Sequence, residues 1–263
     1  MRRVAFIVLW AMLERRFLFS PVAELVYTPA DVNLEYEDVR IQTSDGLIIN
    51  GWFIPGSDTS VTWLWFHGNG GNLGHRIGDL EQARHYSDAN IFIFDYHGYG
   101  ESEGVPTEKN TYLDSRAVIK YLHSRQGVDS DAIVYVGHSL GAAVAIELAL
   151  SSPPMAMILI SPFASVRDMA NLTFPFRWAG WLLRNHYDSI SRVQQLSTPI
   201  LVLHGDQDDI VPIEQGRKLY MAANDPKRIH IIEGASHNNI CEVGGELYWK
   251  EIESFIESAN SSR

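Results

Sequence analysis

The sequence has a single cysteine and few basic residues, and both shortages exclude functions. With Cys241 alone, the chain cannot form an internal disulfide, which fits a reducing compartment. It has 21 lysines and arginines against 32 aspartates and glutamates, for a net charge of −11 at pH 7. Nucleic acids are bound mainly by basic surfaces, so we expect no nucleic acid partner. Charge alone would also not attract the chain to an anionic membrane.

A long apolar run is also missing. The most apolar stretch, residues 4–13, is far shorter than the ~20 residues that a membrane-spanning helix needs. It resembles the start of a signal peptide, but no A-x-A cleavage site follows. We expect residues 1–30 to form an apolar helical segment, and three interpretations stay open: a truncated signal anchor, a helix in peripheral contact with a membrane, or a helix packed on the domain. The predicted location is accordingly cytoplasmic or membrane-associated.

The motifs of common cofactor and metal sites are absent as well. The glycine-rich stretch at residues 68–71 is followed by neither G-K-[ST] nor the G-x-G-x-x-G spacing, which argues against a phosphate cradle. No H-E-x-x-H or similar ligand cluster occurs among the histidines. We therefore predict no metal and no cofactor.

From residue 37 onward, short apolar runs alternate with longer helical patterns. This alternation predicts an α/β domain over residues 31–263, with a mostly parallel central sheet and helices on both faces. Residues 44–46 predict a hairpin turn between the first two strands. In such sheets, ligands bind at the carboxyl ends of the strands. The predicted strands are residues 38–43, 47–54, 61–66, 91–94, 133–137, 157–160, 200–203 and 228–232.

The alternation stops between about residues 162 and 196. This segment is too long for a simple connection and too short for a separate domain, so we predict a short helical cap over the strand ends. It is rich in aromatic residues, which either pack the cap itself or line an apolar substrate pocket. The candidate pocket residues are Phe163, Phe174, Trp178 and Trp181.

A G-x-S-x-G motif at residues 137–141 organises the chain. It follows a β-branched apolar run and precedes an alanine-rich run, which is the strand–turn–helix context of a nucleophile elbow. Ser139 would then project above the sheet at a helix N-terminus, where developing negative charge is favoured. The N–H of Leu140, the residue after the nucleophile, is a predicted oxyanion donor. His138 either touches substrate or packs beside the turn.

A serine needs a base and an orienting acid, in the chain order Ser, Asp or Glu, His after an elbow. His237 follows the last predicted strand and can supply the base. Asp206, Asp208 and Asp209 follow the preceding strand and compete for the acid. Each group lies after a separate strand, so all can converge above the sheet.

Four segments together resemble the α/β-hydrolase family from about residue 37 to the C-terminus. The resemblance implies that Asp208 is the acid, His237 the base and Asn69 the second oxyanion donor. His97 stands where arginine is usual in the family. The branch it resembles is that of small-capped serine hydrolases, which include membrane-anchored members and depalmitoylating thioesterases. The segments are H-G-x-x-D-x-x-V-P at 204–212, G-x-x-H-N at 234–238, H-G-N-G-G-N at 67–72 and D-Y-H-G-Y-G-E-S at 95–102.

These observations predict a serine hydrolase that acts on a small-molecule carboxylic ester or acyl thioester. Two alternatives remain at this stage. One is a peptidase of the same fold, although no cluster that would bind a peptide terminus is evident. The other is a non-catalytic binding or scaffold protein, which would not need all three members of the triad.

Overall fold

A computed structural model describes residues 14–16, 18–173 and 183–261 of the chain. Its centre is an eight-stranded sheet, and two further two-residue strands pair with each other beside it. The strands are β1 (Ser20–Pro21), β2 (Glu37–Gln42), β3 (Ile48–Ile54), β4 (Asp58–Phe66), β5 (Gly70–Gly71), β6 (Ala89–Phe94), β7 (Ile133–His138), β8 (Ala156–Ile160), β9 (Ile200–Gly205) and β10 (Lys227–Ile232).

The sheet has the order β10-β9-β8-β7-β4-β6-β3-β2. The pairs from β10 to β6 are parallel, whereas β3 is antiparallel to both β6 and β2. The β2–β3 hairpin turns at the predicted place, with Gly46 at a φ of 90°. The parallel strands place the carboxyl ends of β4, β6, β7, β8, β9 and β10 at one edge, as the sequence predicted.

Helices cover both faces of the sheet. Two 3₁₀ helices, Pro29–Val32 and Leu73–Arg76, accompany them. The helices are α1 (Ile77–Tyr86), α2 (Glu108–Ser124), α3 (Leu140–Ala149), α4 (Val166–Thr173), α5 (Ser189–Val193), α6 (Ile213–Ala222) and α7 (Ile240–Ser261), the last with a kink at Gly245.

The core consists of two layers because strand side chains alternate between faces. In β4, Leu64 and Phe66 point into the layer with α2, α3 and α6, whereas Trp63 and Trp65 point into the layer with α1 and α7. Strands β7, β8 and β9 are buried almost throughout, which explains why they read as continuous apolar runs. The predicted α/β-hydrolase fold is confirmed.

The cap is described in part. Helices α4 and α5 lie within the predicted insertion, and Phe163 before them is buried in the core, with 7% of its surface exposed. Phe174, Trp178 and Trp181 lie outside the described residues.

The N-terminal segment differs from the predicted helix over residues 19–28. Here the chain is not helical, and Ser20–Pro21 pairs in parallel with Gly70–Gly71. Pro21 fixes its own φ and restricts the residue before it to extended conformations, which opposes a helix here. Residues 1–13 and 17 lie outside the described residues, so the prediction stays a prediction there. Across the described chain, every helix is too short or too polar to cross a membrane.

Candidate active site

The turn between β7 and α3 holds Ser139 in a conformation that few non-glycine residues adopt. Its φ is 53° and its ψ is −111°, and its N–H donates to the carbonyl of Ile160 at 2.9 Å. Such backbone strain concentrates at functional sites and is the hallmark of a nucleophile elbow. Ser139 therefore caps α3 at the carboxyl edge of the sheet, with 8% of its surface exposed.

The two glycines of the motif are required by close approach. A Cβ at Gly137 would lie 2.6 Å from the Cα of Ala142, and one at Gly141 would overlap the carbonyl oxygen of Phe66. Neither backbone atom can move aside without disturbing the sheet or the helix. Strand β7, helix α3 and the end of β4 can approach this closely only if both positions lack a side chain.

The candidate acid and base meet at the same edge of the sheet. His237 Nδ1 lies 2.7 Å from Oδ2 of Asp208, and the N–H groups of Ile210 and Val211 donate to Oδ1 of that carboxyl at 3.0 and 2.7 Å. An ionised carboxylate accepts the proton of Nδ1, so Nε2 of the neutral imidazole carries the lone pair that a general base needs.

The carboxyl of Asp208 is ionised at neutral pH. Burial alone raises the pKa of Asp208, but hydrogen bonds from His204 and His237 outweigh burial and hold that pKa well below its usual range. The described contacts include no hydrogen bond between Ser139 Oγ and His237. In unliganded enzymes this bond is often long and tightens only when substrate binds.

The structure separates the three candidate acids. Asp208 contacts His237, whereas Asp206 accepts from the N–H of Gly234 at 2.7 Å and so holds the loop that carries the histidine. Asp209 is exposed. The geometry thus agrees with the acid that the family resemblance implied.

His138, the predicted substrate contact, is bound to the histidine loop instead of standing free. Its Nε2 donates to the carbonyl of His237 at 3.1 Å, and the two rings are 4.9 Å apart. Burial, with repulsion from His237, lowers the pKa of His138 to about 3, so the ring is neutral. Contact with substrate stays a prediction for this residue.

The two candidate oxyanion donors lie on segments that approach each other at the elbow, where a Cβ on Gly68 would lie 3.3 Å from Nδ1 of His138. Leu140 is the first residue of α3, where an N–H has no partner within its helix. The direction of the Asn69 N–H follows from the peptide group that precedes it. In that group, the carbonyl of Gly68 accepts from Nδ1 of His67 at 2.7 Å. That carbonyl and the Asn69 N–H belong to one planar trans peptide, so the N–H points away from the His67 ring.

A cavity of about 530 Å³ lies beside the candidate base. Many of its lining residues are polar, among them His75, Arg76, Asp79, His138, His237 and Cys241. Burial beside Asp79 raises the pKa of the Cys241 thiol to about 12, which argues against a second nucleophile. Phe163 does not line this cavity, so its role in a substrate pocket stays a prediction. In the part of the chain that the structure describes, no three His, Cys, Asp or Glu side chains are grouped as metal ligands.

Sequence reasoning missed two supports of the site. His204 Nε2 lies 3.4 Å from Oδ2 of Asp208 and 2.8 Å from the carbonyl of Val211, and thereby braces the acid loop. Asp95, directly after β6, accepts from the N–H of Leu73 at 3.1 Å and so holds the start of the 3₁₀ helix at residues 73–76. The position of His204 within the H-G-x-x-D pattern is a signal that could have identified the first support. The second had no local signal.

Comparisons with known proteins bear on the family and the fold of the chain. Residues 105–253, more than half of the chain, match the model of the prolyl oligopeptidase family. The chain is 36% identical over 252 residues to the uncharacterised protein Rv2307c of Mycobacterium tuberculosis, covering 94% of this chain and 88% of the relative. It is 32% identical over 279 residues to the α/β-hydrolase domain-containing protein WAV2 of Arabidopsis thaliana, covering 97% and 91%.

Among solved structures, the esterase Pf2001 of Pyrococcus furiosus superposes with a TM-score of 0.75 at 22% identity. The superposition covers 91% of this chain and 98% of that one. At this identity the likeness shows the shared fold alone.

Proposed function

We propose that this chain, which belongs to the α/β-hydrolase family, is a serine hydrolase that cleaves carboxylic ester or acyl thioester bonds. The observation that carries the proposal is the 2.7 Å contact between Asp208 and His237 at the sheet edge where the strained turn presents Ser139. A strained serine beside an imidazole that a carboxylate orients is the arrangement that acyl transfer requires.

In the proposed reaction, Ser139 Oγ attacks the acyl carbon while Nε2 of His237 takes its proton. The charge of Asp208 stabilises the imidazolium that forms. The N–H groups of Leu140 and Asn69 bind the oxyanion of the tetrahedral intermediate. His237 then protonates the leaving alcohol or thiol, which leaves an acyl group on Ser139. A water molecule then attacks the acyl carbon while giving a proton to His237. His237 returns that proton to Ser139 Oγ as the acyl–oxygen bond breaks and the acid leaves.

The test is hydrolysis of p-nitrophenyl esters and acyl thioesters of increasing chain length by the full chain and by Ser139→Ala. We expect the variant to lose activity by a factor of about 10⁶, the size seen when a triad nucleophile is removed. A fluorophosphonate should label the parent and not the variant. Turnover that persists in folded Ser139→Ala would refute the assignment. A parent without turnover or labelling would indicate a non-catalytic binding protein.

One observation favours a peptidase as a second candidate: the match to the prolyl oligopeptidase family. Both reactions would use the same triad, because ester and amide hydrolysis share the acyl-enzyme route. Fluorogenic aminoacyl and dipeptidyl amides, assayed beside the esters with the same enzyme, separate the two. A higher kcat/KM on amides than on the matched esters would select the peptidase.

A further inference from the structure

Residues 18–25, here called the N-terminal strap, lie against the loop that carries the candidate oxyanion donor. The N–H of Ser20 donates to the carbonyl of Asn69 at 3.0 Å, and the N–H of Val22 donates to the carbonyl of Gly71 at 3.1 Å. Asn69 returns a bond from its side-chain amide to the carbonyl of Leu18 at 3.2 Å. The strap thus forms a short parallel ladder with the loop.

The far end of the loop is fastened to the strap by one buried side chain. Nδ2 of Asn72 donates to the carbonyls of Val22 and Glu24, at 3.0 and 2.7 Å. Its Oδ1 accepts from the N–H of Gly74 at 3.0 Å and caps the 3₁₀ helix that follows. Asn72 is fully buried, so breaking these bonds would leave polar groups without water.

The strap is anchored to parts of the domain other than the loop. Phe19, only 3% exposed, packs in the core with its ring 6.4 Å from that of Tyr187. The N–H of Gly100 donates to the carbonyl of Val22 at 3.0 Å. Just before the strap, Oε1 of Glu14 accepts from the N–H groups of Arg184 and Asn185, each at 2.8 Å. The strap therefore ties the loop to a fixed frame.

The loop depends on contacts from outside because it is rich in glycine, and the strap shares this task with the Tyr99 hydroxyl, which donates to the Asn69 carbonyl at 2.7 Å. Gly68, Gly70 and Gly71 surround Asn69, and Gly71 has a φ of 81°. Glycine loses more backbone freedom on ordering than any other residue. An oxyanion donor acts only if it is held where charge develops, and a displacement of about 1 Å can cost about 10²-fold in rate.

We propose that the N-terminal strap positions the Asn69 N–H for catalysis, an inference that rests on the proposed function. Ser20 and Asn72 are positioning residues in this account: neither touches substrate, and both act through the Asn69 loop. Loss of either link should lower kcat and leave KM nearly unchanged, because the donor is used chiefly in the transition state.

The experiment compares Ser20→Pro, which lacks the N–H, with Ser20→Ala, which keeps it, in the full chain. On a p-nitrophenyl ester we expect Ser20→Pro to lose about 10²-fold in kcat with KM within about threefold, and Ser20→Ala to match the parent. An alkyl boronic acid, whose adduct with Ser139 would place an oxygen in the oxyanion site, should bind Ser20→Pro about 10²-fold more weakly. The backbone amides of residues 69–73 should exchange hydrogen with solvent faster in Ser20→Pro than in the parent, and Ser20→Ala should exchange at the rate of the parent.

A second variant guards against misfolding of the first. Asn72→Asp keeps the acceptor for the Gly74 N–H but removes both donors to the strap, and should show the same split between kcat and KM. Parent-like kcat in folded Ser20→Pro and Asn72→Asp, or unchanged exchange at 69–73, overturns the inference while the Ser139-dependent activity stands. Parent activity that does not require Ser139 refutes the proposed function, and with it the catalytic role of the strap.

Discussion

Two buried histidine–carboxylate pairs in the described chain differ in what surrounds the imidazole. In the pair of His237 and Asp208, one ring nitrogen binds the carboxylate, and Nε2 has no protein partner among the described residues. In the other pair, His97 Nδ1 binds Asp114, and Nε2 lies 3.3 Å from Oδ2 of Asp45. The first ring can exchange a proton with a substrate. The second has one nitrogen on Asp114 and the other at ion-pair distance from Asp45, without a hydrogen bond, and the ring is fully enclosed.

The surroundings also shift the pKa of the His97 ring. Burial lowers the pKa of His97, but the hydrogen bond and charge of Asp114, followed by those of Asp45, outweigh it and raise that pKa. The contacts with Asp114 and Asp45 therefore favour the charged form of His97, at the position where arginine is usual in the family. A buried His–Asp contact is therefore not itself a catalytic signature. A free nitrogen beside a nucleophile is also needed.

The largest expected effect comes from changing the two acids in parallel. Asp208→Asn should lower kcat on a p-nitrophenyl ester by about 10⁴-fold, because the amide favours the wrong tautomer of the base. Asp114→Asn, measured at a temperature where it is folded, should keep kcat within a few-fold of the parent. Equal losses in both variants would show that the two pairs are not functionally distinct.

The second prediction concerns stability, to which we expect the enclosed pair of His97 and Asp114 to contribute strongly. His97→Ala leaves the Asp114 carboxyl buried without its partner, and should lower the free energy of unfolding by about 3–5 kcal/mol. His123→Ala, at an exposed position in α2, is the matched control and should change it by less than about 0.5 kcal/mol. Urea titration followed by circular dichroism measures both. A His97→Ala variant as stable as the control would mean that the enclosed pair contributes nothing to folding.

Sequence reasoning identified the groups that a local pattern marks. Strand β7 was predictable because its residues are apolar and buried on both faces, and Ser139, Asp208 and His237 because each occupies a fixed place in a short motif after a strand. Contacts made over long sequence separations have no such pattern. Nothing near Asn72 indicates that its amide binds carbonyls 48 and 50 residues earlier.

The N-terminal segment shows the same limit. The apolar stretch at residues 4–13 led to a helical segment being predicted through residue 30, yet from Phe19 the chain is extended along the Asn69 loop. The strap pairs with a loop about 50 residues away, which the local pattern does not indicate. Such pairing is decided by tertiary contacts, which single-sequence patterns do not contain.

The third prediction uses pH to separate the pairs. Folding raises the pKa of His97, so its contribution to stability is complete below about pH 6.5, the pKa of an unfolded histidine, and is lost as pH rises through the folded-state value. Folding lowers the pKa of Asp208, so its contribution is present above about pH 3.9 and is lost on acidification.

In urea titrations from pH 6 to pH 10, the free energy of unfolding of the parent should therefore fall. The loss should be about 1.4 kcal/mol for each unit by which folding raises the pKa of His97. His97→Gln should have a flatter profile over this range. If the two profiles have the same slope, His97 is not charged in the folded protein.

The smallest effect is expected at the neighbour of the candidate acid. Asp206 accepts from the N–H of Gly234 at 2.7 Å, and an asparagine keeps an oxygen in that place. Asp206→Asn should therefore change kcat by no more than about twofold. It should change the free energy of unfolding by no more than about 0.5 kcal/mol. Steady-state kinetics of Asp206→Asn and Asp208→Asn, measured side by side, test this difference in kcat. A loss at Asp206 as large as that at Asp208 would show that the charge of the loop, and not the contact with His237, determines the rate.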